Sequence, residues 1–231
     1  KLQDLISPDS RLFDDFFPDS FELKYHERIP NCSFFWVEKV GPKIYLALGG
    51  FKPISLKSAL MGSMASELLN HFVLSRKGFS IGTHIQLLQN AFYEKLGRDP
   101  FSSIQMKVAL LEINLDRVTL AGAGFTAYVL SSGKFEAYTP EDNHPYQFKK
   151  PIQSVSTVEF SLKENDQLYM LGSLDEKEFN PKSLFEIIAK QKEKPLVIQR
   201  DHLEKHFEDI SRYGSIFGIG FRFKQHHLSN R

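Results

Sequence analysis

Hydrophobic spacing switches between a period of two and a period near 3.6 in a fixed order along this chain. That order restricts the fold more than any single motif does. Phe21 to Arg28 reads as an edge strand, and "CSFFWVEKV", Gly41–Pro42 and "KIYLALGG" read as a β-hairpin. From Lys57 to Arg76 the apolar residues Ala59, Leu60, Met64, Leu68 and Phe72 recur at helical spacing, with Leu69 and Val73 widening the stripe. Thr83 is placed to cap a second helix that carries Ile85, Leu88, Phe92 and Leu96 on one face.

A long run of strands follows. Ile104, Met106, Val108 and Leu110 alternate with Gln105, Lys107 and Ala109, the pattern of a half-buried strand. "RVTLAGAG", "TAYVLSSG" and "KFEAYT" come at hairpin spacing, then the polar loop "PEDNHPYQFKKP", then "VSTVEFSL" and "DQLYMLGS". Leu184–Ile188 and Leu196–Ile210 read as helices separated at Pro195. Phe217, Ile219, Phe221 and Phe223 share one face of a last strand. Strands grouped around two helical pairs predict an α+β fold: a four-layer α-β-β-α sandwich of two antiparallel sheets, each covered by a helical pair.

Without a repeat or a low-complexity linker, one domain is expected over residues 21–224. Residues 1–20, broken at Pro8 and Pro18, form the end of a connecting segment, and residues 225–231 form a solvated tail. The start at Lys1 and the lack of a signal peptide suit a domain of a longer protein. The 29 basic and 28 acidic side chains nearly cancel, which argues against nucleic acid as a partner. A single cysteine, Cys32, rules out an internal disulfide and suits a reducing, cytoplasmic setting. With no apolar run of about 20 residues, no membrane span is expected. The 21 Phe predict an aromatic core.

Candidate chemistry is sparse. His202 and His206 lie four apart on a helix with Glu204 between them, but the zinc-protease signature sets Glu directly after the first His, and no third ligand is evident. His226 and His227 belong to the tail. Cys32 has no base beside it and reads as a small buried side chain. "GGF" at Gly49 and "AGAG" at Ala121 lack the length and the Lys-Ser/Thr ending of a phosphate loop. Asp14–Asp15 and "DEKE" from Asp175 read as exposed loops.

The order and phrasing of these segments nevertheless resemble the SpoIIE/RsbU branch of the PPM (type 2C) metal-dependent serine/threonine phosphatases, over nearly the whole chain. "LQDLISPDSRLFDDFFPDSFEL" is similar to the branch's opening. "CSFFWV" stands where the branch has Gly-Asp-Phe-Tyr-Trp-Val. "IYLALGGFKPISLKSALMGSM" stands where it has an apolar strand and Asp-x-x-Gly-His-Gly-x-x-Gly-Ala-x-Met-Ser. "LAGAGFTAYVLSSGKFE" matches Tyr-Ala-Gly-Ala-x-x-Pro and the strands after it. "NDQLYMLGSLDE" matches Gly-Asp-x-x-Tyr-Leu-x-Ser-Asp-Gly, and "RYGSIFGIGFRF" matches the closing Asp-Asp-Ile-x-x-x-Gly strand.

The resemblance implies two Mn²⁺ or Mg²⁺ ions held by aspartates and a water activated for attack on a phosphoserine or phosphothreonine. On this chain those aspartates become Ser33, Gly50, Ser173 and Gly214, the last followed by Ser215. The Gly-His-Gly turn becomes Pro53, Ile54 and Ser55, and a central-strand acid falls near Lys107. Hard dications need anionic oxygens, so no catalytic residue, no metal and no cofactor is expected. A slide of register brings Asp175 or Glu38 nearer but supplies nothing at Gly50 or Gly214.

The implied function is a pseudophosphatase domain that acts in bacterial signal transduction by binding a protein. A STAS-type anti-sigma antagonist of a partner-switching pathway is the model partner, and the Lys57–Leu96 helical pair is the contact face. A homodimer stays open. Two alternatives remain: an active serine/threonine phosphatase with a non-standard metal site drawn from His26, Glu38, Asp175 or Asp209, and a metal-free ligand sensor using the vacated cleft.

Overall fold

The structure is a computed structural model that describes residues 10–25, 32–96, 103–141, 143–174, 181–210 and 216–225. The chain opens with α1 (Ser10–Phe16), the edge strand β1 (Ser20–Tyr25) and the hairpin β2 (Ser33–Val40) and β3 (Lys43–Lys52). The helical pair α2 (Leu56–Ser75) and α3 (Ile81–Leu96) follows. Next come β4 (Gln105–Asn114), β5 (Arg117–Ala123), β6 (Ala127–Ser131) and β7 (Lys134–Tyr138), with β8 (Tyr146–Gln147), β9 (Thr157–Ser161) and β10 (Gln167–Ser173) behind them. The second pair, α4 (Pro181–Lys190) and α5 (Leu196–Ile210), precedes the last strand, β11 (Ile216–Arg222).

The strands form two antiparallel sheets, as the alternating patterns predict. One has the order β1-β11-β10-β6-β7 and the other β2-β3-β4-β5-β9, with β8 added against β4. The α2–α3 pair covers the second sheet and α5 lies over β1 and β11 of the first. The result is the four-layer α-β-β-α sandwich. Even-numbered residues of β3 (Ile44, Leu46, Leu48) face the space between the sheets, and Tyr45, Ala47 and Phe51 face the α2–α3 layer. Phe217, Ile219, Phe221 and Phe223 all join the inner core. At about 1.5–3 kcal/mol for each fully buried large side chain, this packing supplies most of the driving force. Ahead of β1, α1 contributes Phe13 and Phe16, which join Phe17 in the same inner core, with the Phe13 and Phe35 rings 5.0 Å apart, edge to face.

Local details depart from the sequence reading in two places. Ser80 caps α3 rather than Thr83: its Oγ accepts from the Thr83 backbone N–H at 3.2 Å, so the helix starts two residues before Thr83. The polar loop after β7 contains β8, because Tyr146 and Gln147 find the free edge of β4 beside Met106 and Gln105. Residues 226–231, with His226 and His227, lie outside the described residues.

His84 is the polar exception in the α2–α3 layer. It is fully buried, and neither ring nitrogen has a hydrogen-bond partner. Burial lowers its pKa from the ordinary 6.5; nearby Glu112 opposes that shift and Arg76 assists it. In the unfolded chain the imidazole takes up a proton near 6.5 while the buried ring does not, so the unfolded state binds more protons. Unfolding free energy is therefore expected to fall as pH drops from about 7 to about 5. His84→Leu is expected to flatten that decline relative to the parent, in urea melts at the two pH values. A slope equal to the parent's would mean that the ring titrates normally.

Candidate functional site

Backbone pairing lines up three of the sequence-predicted positions in one row across the second sheet. Ser33 on β2 pairs with Gly50 on β3, and Gly50 pairs with Lys107 on β4. All three sit on the face turned toward the other sheet. Opposite them, β10 ends at Ser173, and both Ser33 and Ser173 are buried. Positions 33 and 50 therefore meet between the sheets, whereas Ser173, paired with Ile216, continues the Tyr169 and Leu171 face of β10 toward the helices and brings only its backbone carbonyl to the row. Gly214 and Ser215 lie outside the described residues.

What fills this space is a cation and carbon. Lys107, 7% exposed, extends from β4 and donates from Nζ to the carbonyl oxygen of Ser173 at 2.8 Å, bridging the two sheets. Its stem runs past Gly124, where φ is +83° and a β-carbon would sit 2.7 Å from Lys107 Cγ. Glycine is needed there on both counts. Asn143 fixes the same turn, its Oδ1 accepting from the N–H groups of Gly124 at 2.7 Å and Phe125 at 2.9 Å. Beside the lysine, a β-carbon at Gly50 would lie 2.8 Å from Leu174 Cδ2, 3.1 Å from the Cys32 carbonyl oxygen and 3.3 Å from Phe217 Cζ. Apolar side chains occupy the volume that an aspartate at position 50 would need.

The turn after β3 caps α2. Ser55 Oγ accepts from the Ser58 N–H at 3.1 Å, and Ser58 Oγ donates to the Pro53 carbonyl at 2.6 Å. The serine hydroxyls satisfy the first turn of α2 and present no anionic oxygen. Cys32 is fully buried, with its thiol 3.5 Å from the Ser55 carbonyl oxygen.

These residues do not suit a pair of hard dications. The donors available at the row are a serine hydroxyl and backbone carbonyls, and an ammonium lies among them. One ammonium 4 Å from one dication costs about 8 kcal/mol at an effective dielectric near 20. No group of three or more His, Cys, Asp or Glu side chains capable of holding a metal occurs among the described residues. Glu38 belongs to the opposite face of β2, paired with Tyr45, and is not brought to the row. His202 is exposed on α5, while His206 Nε2 is buried there without a hydrogen-bond partner. His26, Asp175 and the side chain of Asp209 lie outside the described residues.

Two features escaped sequence reasoning. Leu174 fills the space beside Gly50, and the sequence reading left it unremarked in "GSLDE". The reach of Lys107 to the opposite sheet was not visible, because a strand pattern gives the face of a side chain but not what it meets across a sandwich.

No family model matches the chain, and no curated protein matches it. Solved structures do. The SiaA-PP2C domain of Pseudomonas aeruginosa superposes with a TM-score of 0.79 at 15% identity, over 96% of this chain and 93% of that one. The RsbU and RsbW domains of a Mycobacterium tuberculosis protein give 0.67 at 13% identity, over 88% of this chain and 60% of that one. The catalytic domain of the serine/threonine phosphatase PstP, solved with two manganese ions, gives 0.60 at 11% identity, over 89% and 97%.

Proposed function

We propose that this chain, which has the fold of the PP2C/PPM phosphatases, is a catalytically silent domain of bacterial signalling that acts by binding another protein. The observation that carries the reading is Lys107, whose ammonium spans the sheets at the row where the fold's metal ligands are expected. The filled volume beside Gly50 and the helix-capping turn at Ser55 support it. The vacated metal positions are Ser33, Gly50, Ser173 and Gly214, and no Mn²⁺ or Mg²⁺ is bound as cofactor.

A framework retained without ligands is suited to recognition. The neighbour that joins RsbU and RsbW domains in one protein favours a protein partner. A STAS-type anti-sigma antagonist, in the cytoplasm, is the partner of first choice. No helix among the described residues is long and apolar enough to cross a membrane.

The test is hydrolysis of p-nitrophenyl phosphate with Mn²⁺, together with calorimetric titration of the ion. The expected result is no chelator-sensitive turnover, with metal binding weaker than roughly 0.1 mM. Turnover abolished by chelator, or tighter binding, would return the chain to the active enzymes.

A further inference from the structure

A second surface lies on the outward side of α2, and it is independent of whether the row between the sheets holds metal. Every fourth residue from the start of this helix is apolar: Leu56, Leu60, Met64 and Leu68. Side chains at that spacing form one ridge along a helix. Leu56 is 72% exposed and Leu60 is 61% exposed, while Met64 and Leu68 are half-buried at the rim of the layer beneath. The side of α2 that meets the sheet is made by other residues, among them Met61, Ala65, Leu69 and Phe72. Leu56 and Leu60 take no part in that packing.

Two exposed leucines could meet many partners, but the order of residues around them selects one. About position 62 the ridge is a palindrome. Leu60 and Met64 stand two places from the centre, and Leu56 and Leu68 stand six places from it. Lys57 and Glu67, both exposed, stand five places from the same centre on opposite sides. Gly62 itself is buried. At 3.6 residues per turn, the six ridge and charge positions all fall within about 60° of the point opposite Gly62, so both halves of the pattern face outward together.

A second copy of the helix turned end over end about this centre lays apolar side chains over apolar ones and brings each charge near its opposite. A parallel copy would instead set Lys57 against Lys57 and Glu67 against Glu67. An anionic membrane is disfavoured by Glu67 on the same face.

We propose that two copies of this chain associate through α2, antiparallel and about a two-fold axis at position 62. Leu60 of each copy packs on Met64 of the other, and Leu56 lies near Leu68. Lys57 pairs with Glu67 twice, once on each side of the axis. A single helix face makes a small interface, below about 1,200 Å², so the dimer is weak and reversible.

The test is sedimentation velocity of the whole chain from about 5 to about 500 µM. The expected result is a monomer–dimer equilibrium with a Kd of about 10–200 µM, as suits an interface of that size. Leu60→Asp, on an exposed side chain, is expected to weaken association at least about thirtyfold, because each dimer loses the contact twice. The melting temperature of the dilute monomer should not fall. Lys57→Glu and Glu67→Lys each bring like charges together, and each alone is expected to dimerise at least about tenfold more weakly. An equimolar mixture of those two variants restores both ion pairs and is expected to form a heterodimer as tight as the parent dimer. The proposal is overturned by a chain that stays monomeric to about 500 µM, by a dimer indifferent to Leu60→Asp, or by a mixture that associates no better than its parts. The first of these results would leave the ridge to a different protein.

Discussion

Lys107→Ala is expected to lower the melting temperature by about 6–12 °C, at about 2–4 °C per kcal/mol for a domain of this size. The loss has two parts. Truncation strips the carbons that pack on Gly124 and leaves a hole between the sheets. It also removes the hydrogen bond from the Lys107 ammonium to the Ser173 carbonyl, worth about 1.5–3 kcal/mol for a charged donor. Together they amount to about 3 kcal/mol. Lys107→Met separates the parts, because it keeps the carbons and deletes the donor. A drop about half as large is expected from it in the same calorimetric scan. Replacing a buried charge by a hydrophobe of similar volume can be neutral, so the alanine variant carries the decision. An alanine protein melting within about 1 °C of the parent would show that the ammonium does not tie the sheets together.

Gly50→Asp, which restores an acid to the row, is expected to destabilise by about 3 kcal/mol or more and to leave Mn²⁺ affinity weak. The new β-carbon alone would sit 2.8 Å from Leu174 Cδ2, and overpacking of this kind costs about 1–3 kcal/mol. The carboxylate adds a dehydration penalty that an ion pair to Lys107 offsets only in part. A second substitution, Leu174→Gly, removes the obstructing carbons and is expected to recover part of the loss. Urea melts with and without Mn²⁺ test both statements. A single variant as stable as the parent, with micromolar Mn²⁺ binding, would show that the space is not filled and that one restored acid is enough to hold an ion there.

The architecture was legible because each sheet has an apolar face and each helix an apolar stripe, and these periods survive in a single sequence. Phe217 to Phe223 shows this best: four side chains at alternate positions predict one buried face, and all four are in the inner core. Ser33 and Gly50 were singled out by a resemblance in phrase order, and the β2-β3-β4 register gives them a common row with Lys107, whereas the side chain of Ser173 falls on the other face of its strand. What fills the row was less legible. The resemblance set Lys107 near the row, but neither it nor the alternation of β4 says that the ammonium reaches the Ser173 carbonyl on the opposite sheet. The outward ridge of α2 was hidden for a related reason. Leu60, Met64 and Leu68 have the spacing of a buried stripe, and only the seat of the helix on its sheet shows that Leu60 faces out.

The placement of β11 between β1 and β10 has a consequence for biosynthesis. Strand β1 (Ser20–Tyr25) can be zipped into its sheet only through β11 (Ile216–Arg222), which is synthesised after every other described strand of the sandwich. Until then β1 and β10 each present an unpaired edge, and the pairing that closes them joins Ser20–Tyr25 to Ile216–Arg222, with every other described strand of both sheets lying between them in sequence. Such distant contacts form slowly, and waiting edges invite mispairing. Nascent chains stalled before residue 216 are therefore expected to be sensitive to protease and to engage chaperones, with protection arriving in one late step.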